Sequence, residues 1–584
     1  MKVKNETPTR KKMPVLLIFS ALSALFGSGA IIGLTLFNQP LYTYLGIRGL
    51  LPQYLICFAI LFLALLGYGS IHASVAYIAL PVACLACGAR TTYTSFFNPL
   101  VVALVFVILT VAAIAACLWA LCRDPIQTKK SYAWLPTTLG ITGACVAAVA
   151  SLWLFVSIFA GRLDSLQTGN TQQAAIGQML YYVQNSGQPF TTLIAGAPQS
   201  YFLTQFAPLW YLLLPVYALS QHSMLAVGIA LYVAMLSAIL PLWRICRKLS
   251  LSPWQACALC IALACAPLLI GGASGGGVLS MLSLPLLLWV ADTLMGKHPY
   301  LALIPLALCL GIGFEVTVWT AFFCLYLTLS ADKQNRRAGW ICTIVSAVAL
   351  VATIVYLAIC QSPVLTGLFA NVGLQATQKL TFFMLLLLPS ALLPLLSGQK
   401  WALLLLAPLA LFHLVADASV YSGVFCSFAY PVIAVVFLLC AHGTARLHTE
   451  IRGISLQKLL PTAALCTSIL LSAPYASLLS QLYVPEDEQQ ITDAARMHDL
   501  LDKLPKNASV TASDSLLCEL HDRTWLFSLS ACPEQPQTNV IVLDLREDFI
   551  PTGMEEYTVE YYQSLGYTLR TDLGYDGILA VLFK

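Results

Sequence analysis

The chain has 584 residues, of which 59% are apolar and 10% charged, with a mean hydropathy of +0.81. Soluble domains carry about 25% charged residues, so a soluble globule, a coiled coil, a disordered chain and a secreted disulfide scaffold are all excluded. What remains is a polytopic α-helical membrane protein. Its net charge of +4 conceals a division: residues 483–584 hold 18 Asp/Glu against 7 Lys/Arg, a net of −11, while residues 1–482 carry +15. The acidic last hundred residues therefore read as a separate water-exposed domain. The bases of the apolar part read as topology signals rather than nucleic-acid contacts.

A bilayer core of about 30 Å needs roughly 20 apolar residues per helix. Runs of that kind lie near residues 14–37, 51–68, 71–88, 99–122, 135–160, 222–243, 252–270, 278–295, 339–360, 380–396, 401–416, 425–441 and 459–481. The stretch 300–330 is interrupted by Gly311 and Gly313 and reads as two short helices. The pattern predicts 13 to 15 crossings. With the N-terminus in the cytoplasm, 19 of the 23 bases before residue 483 fall on the cytoplasmic side. This predicts a plasma-membrane protein with its 483–584 domain outside.

Three regions follow: a four-helix N-terminal membrane part (1–134), a second membrane part (135–482) with a long polar exterior loop at 161–205, and the tail (483–584). The tail predicts a small α/β unit. Helices are expected over Glu488 to Leu504 and Glu555 to Leu565, and strands over Ser509 to Ser513, over Asn539 to Leu545 and up to Phe583. It contains no GxGxxG, P-loop or His/Cys cluster. Of the 19 cysteines, 17 precede residue 483, almost all in apolar runs where thiols act as small hydrophobes. Cys518 and Cys532 belong to the tail, where an oxidising compartment would permit their pairing.

Among the eight acids of the membrane part, Asp164, Glu315 and Asp417 fall at or near the exterior side. Carboxylates at membrane depth mark functional sites more often than others. Asp164 fits either a solvated helix end paired with Arg162, or a general base or metal ligand. Glu315, flanked by Phe314 and Val316 between two short helices, fits a turn cap or a ligand contact. Asp417 follows His413 by four residues and reads as a structural pair. The aromatics after the loop, Trp210 and Tyr211 among them, suit an interfacial belt or a sugar- or lipid-binding wall.

The order of a polar loop with Gln178, Gly187 and Pro189-Phe190-Thr191-Thr192, then Gln205-Phe206-Ala207-Pro208 and Leu212 to Leu219, resembles a known pattern. So do the Gly-rich turn at 271–277, the helix pair around Glu315 and the tail run from Leu504-Pro505 through Ser509-Val510-Thr511-Ala512-Ser513 to Arg523. The pattern is that of the domain-of-unknown-function 2079 family, which is similar to the GT-C glycosyltransferases. The resemblance implies a GT-C-like enzyme taking a polyprenyl-phosphate-linked sugar at the outer membrane face. In it Asp164 would be a general base or hold a divalent metal, Glu315 would be a phosphate or metal partner, and Arg162, Gln172, Gln178, Gln205, Trp210 and Tyr211 would contact substrate.

The chain departs from that family where acids are usual. Gln172-Gln173 stands in place of Asp-Leu, Gly177 in place of a second acid, Gln205 in place of a His, and Phe314-Glu315-Val316 in place of Lys-Glu-Asp. A carboxamide cannot take up a proton near neutral pH, so a non-catalytic member that binds a lipid-linked sugar or an envelope partner is the alternative. A transporter is a further one, although the halves show no internal repeat of the kind many carriers have.

Overall fold

The computed structural model describes residues 13–32, 50–71, 73–94, 98–123, 135–167, 171–194, 197–273, 276–332, 334–362, 376–415, 428–483, 488–530, 538–546, 558–575 and 577–584. Asp417 and Cys532 lie outside these residues, and with them the expected Asp417–His413 and Cys518–Cys532 pairs. Nine helices among the described residues are long and apolar enough to cross a membrane. The remaining apolar segments are shorter helices, which accounts for the difference from the 13 to 15 expected crossings. The 300–330 stretch divides at Gly311–Gly313 into Leu303–Leu310 and Phe314–Ser330. The expected span at 222–243 is one of the nine, running from Met224 to Lys248 with a turn at Ser237–Ala238 between Met224–Leu236 and Ile239–Lys248.

Helices Met13–Ile32, Ala73–Thr94 and Pro99–Arg123 pack together around Phe19, Tyr77, Leu80 and Cys84, and Leu50–Ile71 lies against the first two from outside. They lean on the long Leu456–Tyr483 helix, which joins them to the rest. At the centre lies the Pro253–Gly272 segment, 94% buried, whose small side chains Ala256, Ala258, Ala262 and Ala264 let neighbouring helices approach closely. Glycine does the same where the Gly-rich turn meets the Met224–Leu236 helix. A Cβ on Gly277 would lie 2.7 Å from the Cα of Gly228, a separation no side chain tolerates. One ion cluster marks the opposite end of the bundle: buried Asp292 meets Arg244 Nε at 2.8 Å and Lys248 Nζ at 2.6 Å.

The segment after the Leu135–Asp164 helix is not the open loop its polar composition suggests. Thr171–Ser186 forms a helix that buries Gln173, Ala174, Ala175, Ile176, Gln178, Met179, Leu180 and Val183. A short hairpin of β1 (Phe190–Thr191) and β2 (Gln199–Ser200) follows. A second hairpin, β3 (Glu450–Ile451) with β4 (Ile454–Ser455), precedes the Leu456–Tyr483 helix.

The tail folds as a five-stranded sheet in the order β6-β5-β7-β9-β8. Its strands are β5 (Val510–Ala512), β6 (Leu526–Ser528), β7 (Val540–Asp544), β8 (Thr568–Leu569) and β9 (Leu579–Phe583). β5 runs parallel to both β6 and β7, while β9 is antiparallel to β7 and β8. β6 and β8 are two strands that composition did not predict; each is too short to show an alternating pattern. The central strands β5 and β7 are buried throughout; β7 has the apolar run this requires, and in β5 the buried Thr511 hydroxyl is paired with that of Thr538 at 2.8 Å.

Candidate functional site

The parallel strands end against the membrane part, and this positions the site. Asp514 stands two residues past the end of β5, Ser528 ends β6 with Ser530 two residues beyond, and Asp544 ends β7. In open α/β sheets the carboxyl ends of parallel strands are where ligands gather. Here they meet the 161–205 segment. Arg546, fixed by an ion pair to Asp544 at 2.6 Å, donates from Nη1 to Ser165 O at 2.9 Å and from Nη2 to Leu166 O at 3.0 Å.

Between the two parts lies a cavity of about 440 Å³, within the size range of small-molecule sites. Thr171, Gln172 and Ala175 line it from the buried helix, and Leu193, Ile194, Tyr201, Thr204 and Gln205 from the segment that follows. Glu315 and Phe428 enter from the membrane part, and Ser528 and Ser530 from the tail. Three residues singled out in the sequence (Gln172, Gln205 and Glu315) thus come together although 143 positions separate the first from the last.

Glu315 sits in the first turn of the Phe314–Ser330 helix, where the helix dipole favours a carboxylate. Gly313, immediately before that helix, leaves room for two polar groups. A Cβ there would lie 3.2 Å from Gln205 Nε2 and 3.6 Å from Glu315 Oε2. Tyr201 is buried, and its hydroxyl donates to Gln205 Oε1 at 3.1 Å. Burial pushes the Tyr201 phenol up; a hydrogen bond with Gln172 opposes this, and the Glu315 charge adds to it. The phenol therefore stays protonated near neutral pH and acts as a donor. Trp210 does not line this cavity and bounds a separate, much smaller void with Gln172 and Gln205. It is 1% exposed, and its Nε1 finds no partner among the described residues.

The other expected residues fall elsewhere. Gln178 is wholly buried and its amide is saturated. Oε1 accepts from Thr191 Oγ1 at 2.8 Å and Thr192 N at 2.9 Å, and Nε2 donates to Thr192 Oγ1 at 3.0 Å and Arg523 O at 3.2 Å. It fastens the tail instead of facing the cavity. Arg162 is buried, donates to Gln167 O at 3.3 Å and does not line this cavity. Tyr211 is 42% exposed and meets Phe202 edge-on, a position suited to the lipid boundary.

Asp164 is separated from Glu315. It ends the Leu135–Asp164 helix and lines a second cavity of about 470 Å³ with His222, His498, Lys506, Glu519 and Asp522. Among the described residues no three His, Cys, Asp or Glu side chains are grouped so as to hold a metal ion.

His498 ties this second cavity together. Its Nδ1 lies 3.1 Å from Glu519 Oε1, and its Nε2 lies 3.1 Å from Asp164 O. Both nitrogens donate only when the ring is charged. The Glu519 hydrogen bond raises the His498 pKa above its usual 6.5, outweighing burial. Burial pushes Glu519 up, but the His498 bond and charge prevail and hold it below the ordinary range. Since the folded state raises His498, the stabilisation is complete below about pH 6.5 and is lost as pH rises through the raised value. Thermal unfolding of wild type and His498→Gln between about pH 5 and pH 8 should show a gap in Tm that closes towards the alkaline end. A constant gap would remove the charged pair from the account.

Residues 162–579 match the family described as predicted membrane protein (DUF2079). The chain belongs to this family. A comparison with curated proteins finds no match. Among solved structures, this DUF2079 member is similar to ArnT from Cupriavidus metallidurans bound to undecaprenyl phosphate. The TM-score is 0.50 at 12% identity, over 77% of this chain and 98% of that one. The likeness is one of fold, and it agrees with the GT-C-like helical membrane architecture expected from the sequence.

Proposed function

We propose that the protein is a GT-C-like glycosyltransferase of the plasma membrane. In this reading the Glu315 cavity opens on the outer face and receives the sugar of a polyprenyl-phosphate carrier. The observation that carries it is the meeting of one membrane-borne carboxylate with Gln172, Gln205 and Tyr201 beneath the tail domain. Carboxamides and hydroxyls both donate and accept, which suits sugar hydroxyls. The distribution of Lys and Arg supports an outward-facing tail. The bound lipid of the ArnT structure supports a polyprenyl phosphate as the carrier.

Glu315 is then the general base. It takes the proton of an acceptor hydroxyl as that oxygen bonds to the anomeric carbon, and the anomeric carbon–phosphate oxygen bond breaks. Polyprenyl phosphate leaves as an anion and needs no proton. Asp164, outside this cavity, has no part in the step.

A second reading rests on Glu315 being the single carboxylate among the described lining residues. Such a site could bind a lipid-linked sugar without turning it over. Mass spectrometry of lipids retained by the detergent-purified protein tests the shared premise. Enriched polyprenyl phosphate or its sugar-linked form is expected; bulk phospholipid alone would reject both readings.

A further inference from the structure

We propose that the tail domain reads the hydroxyl groups of the bound sugar through Ser528 and Ser530, with Asp514 as the positioning residue. The inference rests on the reading of this cavity as a sugar site and adds a specificity element from a different part of the chain.

Ser528 Oγ donates to Asp514 Oδ1 at 2.5 Å, and Ser530 Oγ donates to Asp514 Oδ2 at 2.7 Å. The two serine oxygens are 2.8 Å apart. Each hydroxyl has one proton, so three oxygen–oxygen contacts share two protons. With both protons directed to the carboxylate, the serine oxygens turn lone pairs to their remaining neighbours. Both serines line the cavity, so its tail-side wall is an acceptor surface facing the membrane-borne Glu315.

Such a cavity selects donors. No Lys, Arg or His occurs among the described residues that line it. A phosphate would meet carboxylate and lone pairs with no cation among the described lining residues to offset them. A neutral polyol, whose hydroxyls can donate to Ser528, Ser530 and Glu315 and accept from the Gln172 and Gln205 amides, fits each wall. The chemistry assigns the sugar to the cavity and leaves the carrier phosphate outside it. Ser528 is 1% exposed, so its orientation is set by packing and by Asp514 before a ligand arrives, which is the condition for selectivity.

The test compares two probes, undecaprenyl phosphate and undecaprenyl-phosphate glucose, by native mass spectrometry on the full-length protein in detergent. Wild type should bind the glucose-bearing lipid more tightly than the bare one. In the double variant Ser528→Ala/Ser530→Ala that preference should fall about tenfold while affinity for the bare lipid is unchanged. Asp514→Asn keeps the shape but can donate to the serines and turn their protons into the cavity. It should lose the same preference with its melting temperature preserved. Retention of the preference in both variants would overturn the assignment while leaving lipid binding intact. Equal loss for both lipids would mark the trio as structural and overturn it too. A wild type that binds neither lipid would remove the sugar-carrier reading and this inference with it.

Discussion

Glu315→Gln is expected to abolish release of polyprenyl phosphate from a polyprenyl-phosphate sugar, by a factor of about 100 or more. The substitution is nearly isosteric and keeps one acceptor oxygen, so the cavity retains its shape; what it loses is a group that can hold a proton near neutral pH. Membranes from cells expressing wild type or variant, supplied with radiolabelled carrier sugar, give the readout without knowledge of the acceptor. Quantitative immunodetection of both proteins in the membrane separates lost chemistry from lost protein. Glu315 is 8% exposed and stands at a helix start among apolar neighbours, and the Gly313 turn brings Gln205 beside it. Persistence of release in Glu315→Gln together with its loss in Asp164→Asn would move the base to the second cavity and discard the site described here.

The second large effect is on docking. Gln178→Leu keeps the side-chain volume and removes both polar atoms. The carbonyl oxygens of Arg523 and Thr524, the Thr192 N–H and the Thr191 hydroxyl all lose a partner. Buried groups left unpaired cost about 1–3 kcal/mol each. Partial relaxation brings the expected total to about 3 kcal/mol, taken mostly from the contact between the Thr171–Ser186 helix and the tail. Limited proteolysis should cleave the tail from the variant much faster, and its melting should precede that of the membrane part. Gln178→Glu, which retains the acceptor and loses the donor, should fall between the two. Wild-type protease resistance in Gln178→Leu would show that the tail is held by other contacts.

The helical segments were legible because lipid demands long apolar runs, and the tail strands β7 and β9 because burial on both faces makes them nearly continuous in apolar residues, while the shorter β5 showed itself by Val510 and its bounding serines. The Thr171–Ser186 helix was not. Its polar composition made the segment read as an exterior loop, with Gln172 and Gln178 as substrate contacts, yet Gln173 and Gln178 are buried and bonded to backbone at Gly277 and at Arg523. Those partners are 104 and 345 positions away, beyond any local pattern. Glu315 could be picked out because a carboxylate amid apolar residues is conspicuous. Asp164 was equally conspicuous, and only the fold shows that it lies apart. Asp514, Ser528 and Ser530 look like ordinary turn residues. The available signal was weak: Asp514 follows a short apolar strand, where a parallel sheet would place it at a carboxyl edge.

The join between tail and membrane part has a chemical asymmetry with a consequence for its history. Arg546 donates to the carbonyls of Ser165 and Leu166, and Gln178 and Tyr182 to those of Arg523 and Thr524. Thr192 donates to the carbonyl of Leu526, and His498 and His521 lie against those of Asp164 and His222. Every acceptor in this set is main chain, present whatever side chain the position carries. Half of each contact is therefore immune to point substitution, and the surface beneath the tail can drift in sequence while the joint keeps its geometry. Related chains could then exchange tails, and with them the serine-bearing wall, without rebuilding the membrane part. That is a modular route by which one helical scaffold could come to serve different sugars.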